Sequence, residues 1–305
     1  MNPAASLLAA QSTRYEWLDP LLPPAAVPPD GRVLAAALRR GDRVGGVVVL
    51  AEHEQGSAST LWSPRYVWEL YPLLGDSAAD GMEALLRELH RVVDSTTRDP
   101  DSACLVTWPS RDAAASGPLL RHGFVPLSVL AVRPGPVGPP GRASVRQAGP
   151  ADLETVLDLE LAELAYSTEL GVTPRRADAA AIRRASLARC LDAGEPVWLA
   201  ERDGVPAGVA HCRLIDVTTT APLATRLRPG RWGYVNSVSV LATARGTGVG
   251  RELMAVAHHE LHAAGATATF LYQHPVNPLS SVFWARQGYR PLWTGWEVRP
   301  AGALR

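Results

Sequence analysis

The chain has 305 residues, 47% of them apolar, with thirty basic and thirty acidic side chains and no net charge. That length and composition give two ordinary domains enough material for real cores and exclude a disordered chain. The balanced charge argues against a nucleic-acid or membrane-surface binder, which needs a basic excess.

All thirty basic residues are arginine, so a Schiff-base lysine and a Walker A loop are ruled out. Cys104, Cys190 and Cys212 are an odd number at wide spacings, and read as small buried side chains in a reducing compartment. The opening "MNPAASLLAAQS" lacks the basic region and long apolar run of a signal peptide, and no apolar run reaches membrane-spanning length. A cytoplasmic location is expected.

In chain order, about thirty residues precede "LRRGDRVGGVVV", an apolar hairpin with a charged Gly/Asp turn. The helical spacing of "GMEALLRELH" follows, and then "RHGFVPLSVLAVRP". "RPGPVGPPGRAS" is too rich in Pro and Gly for a helix or an interior strand and marks a boundary. Two domains are therefore expected, 1–134 and 144–305, joined by a linker over 135–143.

The second domain reads as a short strand "ASVRQA", a helix N-capped at Asp152 and a second helix over about Ala177 to Ala193. A hairpin follows (Val197 to Glu201, Ala207 to Ile215), then a strand over Gly233 to Val240. A glycine loop opens a helix from Val249 to Ala264. The strand "ATFLYQH", the helix "PLSSVFWARQG" and a last strand pair complete a mixed α/β layer.

The two halves rhyme. Gly46 and Gly208 sit in matching hairpins 162 positions apart, Gly81 and Gly250 in matching helices 169 apart, and Gly123 and Gly288 before matching strands 165 apart. Three anchors in the same order predict a duplicated fold. With only about thirty residues before its hairpin, the N-terminal half is expected to lack most of the first two helices.

"ATARGTGVGREL", Ala242 to Leu253, joins the strand "YVNSVSV" to a helix. Free N–H groups at a helix start bind anions, and glycines let the backbone come close. The spacing Gly246-x-Gly248-x-Gly250 places Arg251 where the dinucleotide fingerprint needs its third glycine, so a Rossmann site is excluded. On the loop alone, a phosphate cradle and a tight strand–helix turn have equal claim.

The company of the loop separates them. Arg245, Gly248 and Gly250, followed by Asn277, Ser280, Phe283, Trp284, Gly288 and Tyr289, resemble the two signature segments of the GNAT superfamily of acyl-CoA-dependent N-acyltransferases. Two such modules in one chain resemble its tandem members. The resemblance implies two mixed, mostly antiparallel sheets flanked by helices, the N-terminal one degenerate. It also implies an acyl-CoA cosubstrate, acetyl-CoA or a longer analogue, with no metal. The loop residues Arg245, Gly246, Thr247, Gly248, Val249, Gly250 and Arg251 would hold its pyrophosphate. Val238 and Val240 would pair with the pantetheine arm, and Asn277, Phe283 and Trp284 would contact it.

The resemblance further implies direct attack by the primary amine of a small-molecule acceptor. Where the family carries a glutamate, this chain has Asn236, followed by Ser237; either can hold a relaying water. Trp284 stands in the place of the usual tyrosine. The oxyanion donor would be the backbone N–H of Val238. His274 is the first candidate base and His211 the second, each against a plain structural reading. Glu160, Glu163 and Glu169 can recognise an amine or form a solvated face. His258 and His262, four apart, read as a helix face before they read as metal ligands. Trp293 and Trp296 are core or an aromatic wall.

In the N-terminal half the glycine alignment sets Asp76, Ser77 and Ala79 against Arg245, Gly246 and Gly248, and Asp112 against Asn277. That half is expected not to bind CoA. The expected activity is N-acyl transfer by a monomer or homodimer; the alternative is a regulatory protein that binds acyl-CoA without turnover.

Overall fold

A computed structural model describes residues 3–39, 41–95, 99–135 and 144–305. Most of the expected linker, 136–143, lies outside the described residues. The N-terminal half contains α1 (Pro3–Leu18), β1 (Arg32–Ala37), β2 (Arg43–Glu52), β3 (Tyr66–Leu73), α2 (Ala78–Asp94), β4 (Ser102–Pro109), α3 (Ser116–Arg121) and β5 (Val125–Pro134). The C-terminal half contains β6 (Val145–Gln147), α4 (Leu153–Glu169), α5 (Ala179–Asp192), β7 (Val197–Arg202), β8 (Val205–Val217), β9 (Gly230–Val240), α6 (Val249–Ala263), β10 (Ala268–Gln273), α7 (Pro278–Arg286) and β11 (Arg290–Val298).

The strands form one sheet in the order β1-β2-β3-β4-β11-β5-β10-β9-β8-β7-β6. Among the described residues, only β3–β4 and β9–β10 run parallel. Apart from β6, which has no counterpart beyond β1, the order is symmetric about the β11–β5 pair. β11 lies against β4 and β5 against β10, so each half gives its last strand to the other. The expected last strand pair of the C-terminal half is therefore β11 with a strand from the N-terminal half. The sequence boundary at the linker is not a boundary in the sheet, and the two expected sheets are one.

The two halves pack alike at their hairpin glycines. A Cβ on Gly46 would sit 2.9 Å from the Tyr71 carbonyl and 3.2 Å from Leu85; one on Gly208 would sit 2.9 Å from the Ser239 carbonyl and 3.1 Å from Leu253. Each glycine lets its hairpin pass beneath a helix. Leu85 and Leu253 are 168 apart, so the helices match one residue out of the register read from Gly81 and Gly250.

The helices follow their apolar spacing. In α6, Leu253, Met254, Ala257, His258 and Leu261 face the sheet, the stripe an amphipathic helix buries. Val156, Leu157, Leu159, Leu187 and Leu191 of α4 and α5 cover the opposite face over Val197, Leu199 and Val209. Asp152 does not cap α4 with its own side chain. It closes a turn by accepting from the Gly149 N–H at 2.9 Å and binds Arg146.

The N-terminal half has one long helix before its hairpin, and that helix is tightly fixed. Tyr15 of α1 meets Trp108 and Trp293 edge-on at 5.8 and 5.4 Å. Burial of aromatic rings of this size contributes about 2–3 kcal/mol each.

Candidate active site

β9 and β10 run side by side only as far as the pair Val235 and Leu271. Beyond it they separate, and the cause is local. The β8–β9 register passes from Cys212 opposite Val235 to His211 opposite Ser237, which leaves Asn236 as the extra residue of a β-bulge. A bulge bends and twists its strand. The matching β2–β3 pairing runs without a shift.

The Leu241 N–H donates to Ala207 on the β8 side at 2.9 Å. Backbone direction alternates along a strand, so the N–H and C=O groups of Val238 and Val240 point the other way, to the edge that β10 has left. Arg245 Nε donates to the Val240 carbonyl on that edge at 3.2 Å. Its guanidinium also lies 5.9 Å from the ring centroid of Tyr166, tying α4 to the loop.

The glycine loop has the form of an anion cradle. Gly246 has φ +77° and Gly248 φ +101°, both left-handed, and Gly248 is the N-cap of α6. The first helical bond is Glu252 N–H to the Gly248 carbonyl, so the N–H groups of Val249, Gly250 and Arg251 precede the ladder. The Thr247 hydroxyl fixes the turn on the Ala244 carbonyl at 2.7 Å. A Cβ on Gly250 would meet Phe283 at 3.3 Å, so that glycine brings α6 against α7. Val249 is buried; Arg245 and Arg251 are exposed.

Asn277 takes a structural position. Its Oδ1 accepts from the Leu279 and Ser280 N–H groups at 3.0 and 3.2 Å and so N-caps α7. Phe283 and Trp284 form an edge-on pair at 4.8 Å, and buried Trp284 continues onto Tyr289.

His274 and Val238 stand on the two diverging arms, each three residues past the last β9–β10 pair. His274 Nδ1–H donates to the Leu127 carbonyl of β5 at 2.9 Å. That bond leaves Nε2 as the basic nitrogen, while burial lowers the ring pKa and keeps it neutral at pH 7. The Ser237 hydroxyl is buried without a hydrogen-bond partner, on the strand position opposite His211.

His211 Nδ1 and both carboxylate oxygens of Glu160 are already engaged. His211 Nδ1–H donates to Glu160 Oε1 at 2.9 Å, Arg183 Nε binds Glu160 Oε2 at 2.5 Å, and both His211 and Glu160 are 1% exposed. Glu163 is half-buried and accepts from Ser167; burial raises its pKa. Glu169 is exposed. His258 pairs with Tyr289 Oη at 2.8 Å and His262 with the Ala266 carbonyl, so these two point to different partners. Trp293 is core, its indole N–H on the Arg226 carbonyl at 2.8 Å.

Contributions from the N-terminal half carried no local signal in the sequence. Trp62 lies 6.0 Å beneath the Arg183 guanidinium, and Arg176, between α4 and α5, binds Asp101 and the Thr60 and Ser63 carbonyls. The counterpart of the open β9 edge is also filled from that half. Gln11 of α1 donates to the Pro72 carbonyl at 3.1 Å and accepts from Leu74 N–H at 2.7 Å. Arg14 forms a two-pronged pair with buried Asp112 at 2.8 and 2.6 Å.

Residues 160–289 match the model of the acetyltransferase (GNAT) family. A mycothiol acetyltransferase from Frankia alni is 40% identical over 75 residues, 25% of this chain and 22% of that relative's length. A GCN5-related N-acetyltransferase from Sphaerobacter thermophilus shares the fold over 98% of this chain and 93% of its own, with a TM-score of 0.58 at 14% identity. A GNAT-family acetyltransferase from Colwellia psychrerythraea does so over 96% of each chain, with a TM-score of 0.53 at 10% identity. No helix among the described residues is long and apolar enough to cross a membrane.

Proposed function

We propose that the chain is a tandem GNAT N-acyltransferase that moves the acyl group of an acyl-CoA, acetyl-CoA in the first instance, to a primary amine of a small molecule. The site lies in the C-terminal half, and the N-terminal half is a degenerate copy that has lost the cosubstrate. The observation that carries this reading is the open edge of β9, bounded by the bulge at Asn236 and the left-handed glycines before α6.

The fit is chemical. The N–H groups of Val249, Gly250 and Arg251 face an anion at a helix start, with two exposed arginines beside them. The unpaired groups of Val238 and Val240 match the amides of a pantetheine arm as an added strand does. When bound, the acyl-CoA supplies an activated thioester. The Val238 N–H then donates to the developing oxyanion. Neutral His274 takes the amine proton at Nε2, directly or through a water held by Asn236 and Ser237. Trp284 supplies no acid, and a thiol with a pKa near ~8.5 leaves without one.

In the N-terminal half, α1 lies where the cosubstrate would. Gln11 holds the matching strand edge and Arg14 neutralises Asp112, which stands opposite Asn277. A second reading, acyl-CoA binding without turnover, is favoured by Asn236 and Trp284 in place of a base and an acid. Release of CoA thiol from acetyl-CoA across a panel of primary amines decides. Amine-dependent release supports the enzyme; binding with no release on any amine supports the second reading.

A further inference from the structure

A separate cluster lies beneath α5, on the far side of β8 from the open edge. Cys190 Sγ, Glu195 Oε and a ring nitrogen of His211 lie within 4.8 Å of one another. His211 Nε2 is buried, has no hydrogen-bond partner and is aimed into this space, 3.6 Å from Glu195 Oε2. Its other nitrogen is fixed on Glu160, so the ring cannot turn away. Arg213 closes the outer side, with Nη2 on Cys190 Sγ at 3.0 Å and Nε on Glu195 Oε2 at 2.7 Å.

The geometry points to Cys190 as a reactive thiol, held by His211 and Arg213 for oxidation by small hydroperoxides. Charge counting supports it. Arg183, Arg213 and a His211 imidazolium give three positive charges against Glu160, Glu195 and a Cys190 thiolate, and burial favours the neutral form of the fourth acid, Glu163. Burial opposes ionisation of both groups, yet Cys190 and Glu160 raise the His211 pKa to about 9, and His211 and Arg213 bring the Cys190 thiol below its usual range. Arg213 already occupies the face of the donors that a metal ion would need. Its side chain and that of Glu195 are 41% and 31% exposed, so this ion pair is the layer between a buried sulfur and solvent.

The step balances. The thiolate attacks one peroxide oxygen, the O–O bond breaks, and sulfur is oxidised to a sulfenic acid as the peroxide is reduced. The leaving hydroxide, or the alkoxide of an organic hydroperoxide, takes the His211 proton and departs as water or an alcohol. Cys104 and Cys212 are internal controls: both are fully buried, and burial pushes both thiols up, Cys104 to about 12. The inference is independent of the acyl-transfer reading.

The full chain is treated with hydrogen peroxide and a dione trap for sulfenic acids, and the three cysteine peptides are read by mass spectrometry. Labelling of Cys190 at least tenfold above Cys104 and Cys212 is expected, with several-fold loss in a folded His211→Asn variant. Should that variant not fold, alkylation of the wild-type chain by iodoacetamide carries the test. The groups around Cys190 that set its charge are Glu160 and Glu163 of α4, Arg183 of α5, Glu195, and His211 and Arg213 of β8. A lowered thiol pKa among them gives a rate that rises several-fold less between pH 6.5 and 8.5 than that of an ordinary thiol, which rises by tens of fold. Equal labelling of all three cysteines, a steep pH-dependent rate, or a co-purifying metal that protects Cys190 overturns the proposal.

Discussion

Gln11 Nε2 donates to the Pro72 carbonyl at 3.1 Å, on the strand edge that corresponds to the one where Val240 accepts from Arg245 at 3.2 Å. Pro72 lies opposite Gly46 and Val240 opposite Gly208, so the two carbonyls occupy similar places in the two hairpins. In one half a glutamine on a neighbouring helix closes the edge. In the other an exposed arginine covers it.

Removing the plug tests this asymmetry. Asp112 is 3% exposed and takes both prongs of Arg14 together with the Trp108 indole N–H. Arg14→Ala leaves a buried carboxylate without its cation, which costs about 3 kcal/mol. Urea unfolding should show that loss, while acyl-CoA affinity stays within twofold of wild type. A large loss of affinity with stability unchanged would place the cosubstrate in the wrong half.

The loop glycines should be needed for backbone shape. A β-branched side chain at the φ of +101° found at Gly248 costs about 2 kcal/mol and fills the cradle. Gly248→Val is expected to lower the melting temperature by several degrees and abolish acyl-CoA binding. Gly302→Ala, where an added Cβ meets nothing within 4 Å, should change neither.

His274 is the group assigned to proton transfer. His274→Gln keeps a donor for the Leu127 carbonyl but removes the base, so kcat should fall about a hundredfold with KM for acyl-CoA little changed. Asn236→Ala, which removes a water-holding group, should cost less. An unchanged kcat in His274→Gln would return the ring to a purely structural role.

Acid sensitivity of the C-terminal half follows from His258. Burial, then the nearby Arg133 and His262, lower its pKa from 6.5 to about 3. The neutral ring is favoured in the fold, so this stability is present above pH 6.5 and is lost as pH falls toward 3, at about 1.4 kcal/mol per unit. His258→Gln should lose about 2 kcal/mol less than wild type between pH 7 and 5, measured from urea midpoints.

The local parts of this architecture were legible in the sequence because their signals are local. The helix expected over Val249 to Ala264 runs Val249–Ala263, and the hairpin Val197 to Glu201 with Ala207 to Ile215 extends only slightly beyond those limits. Exchange of β5 and β11 was not legible, since strands of similar apolar pattern can pair with either half. The bulge at Asn236 was equally silent; it depends on register against β8, and Asn carries no bulge signal. Gln11, Arg14, Trp62 and Arg176 act across separations of 61 to 121 residues, where no spacing rule applies. His211 and Glu160 were visible singly as candidates. Only the packing of α4 on β8 shows that His211 Nδ1 and Glu160 Oε1 are engaged with each other.

The central claim is one acyl-CoA site per chain, in the C-terminal half. Native mass spectrometry of the full chain titrated with acetyl-CoA tests it most directly. One acetyl-CoA per chain is predicted, lost in Gly248→Val and kept in Arg14→Ala. Two per chain, or one that survives Gly248→Val, would contradict it.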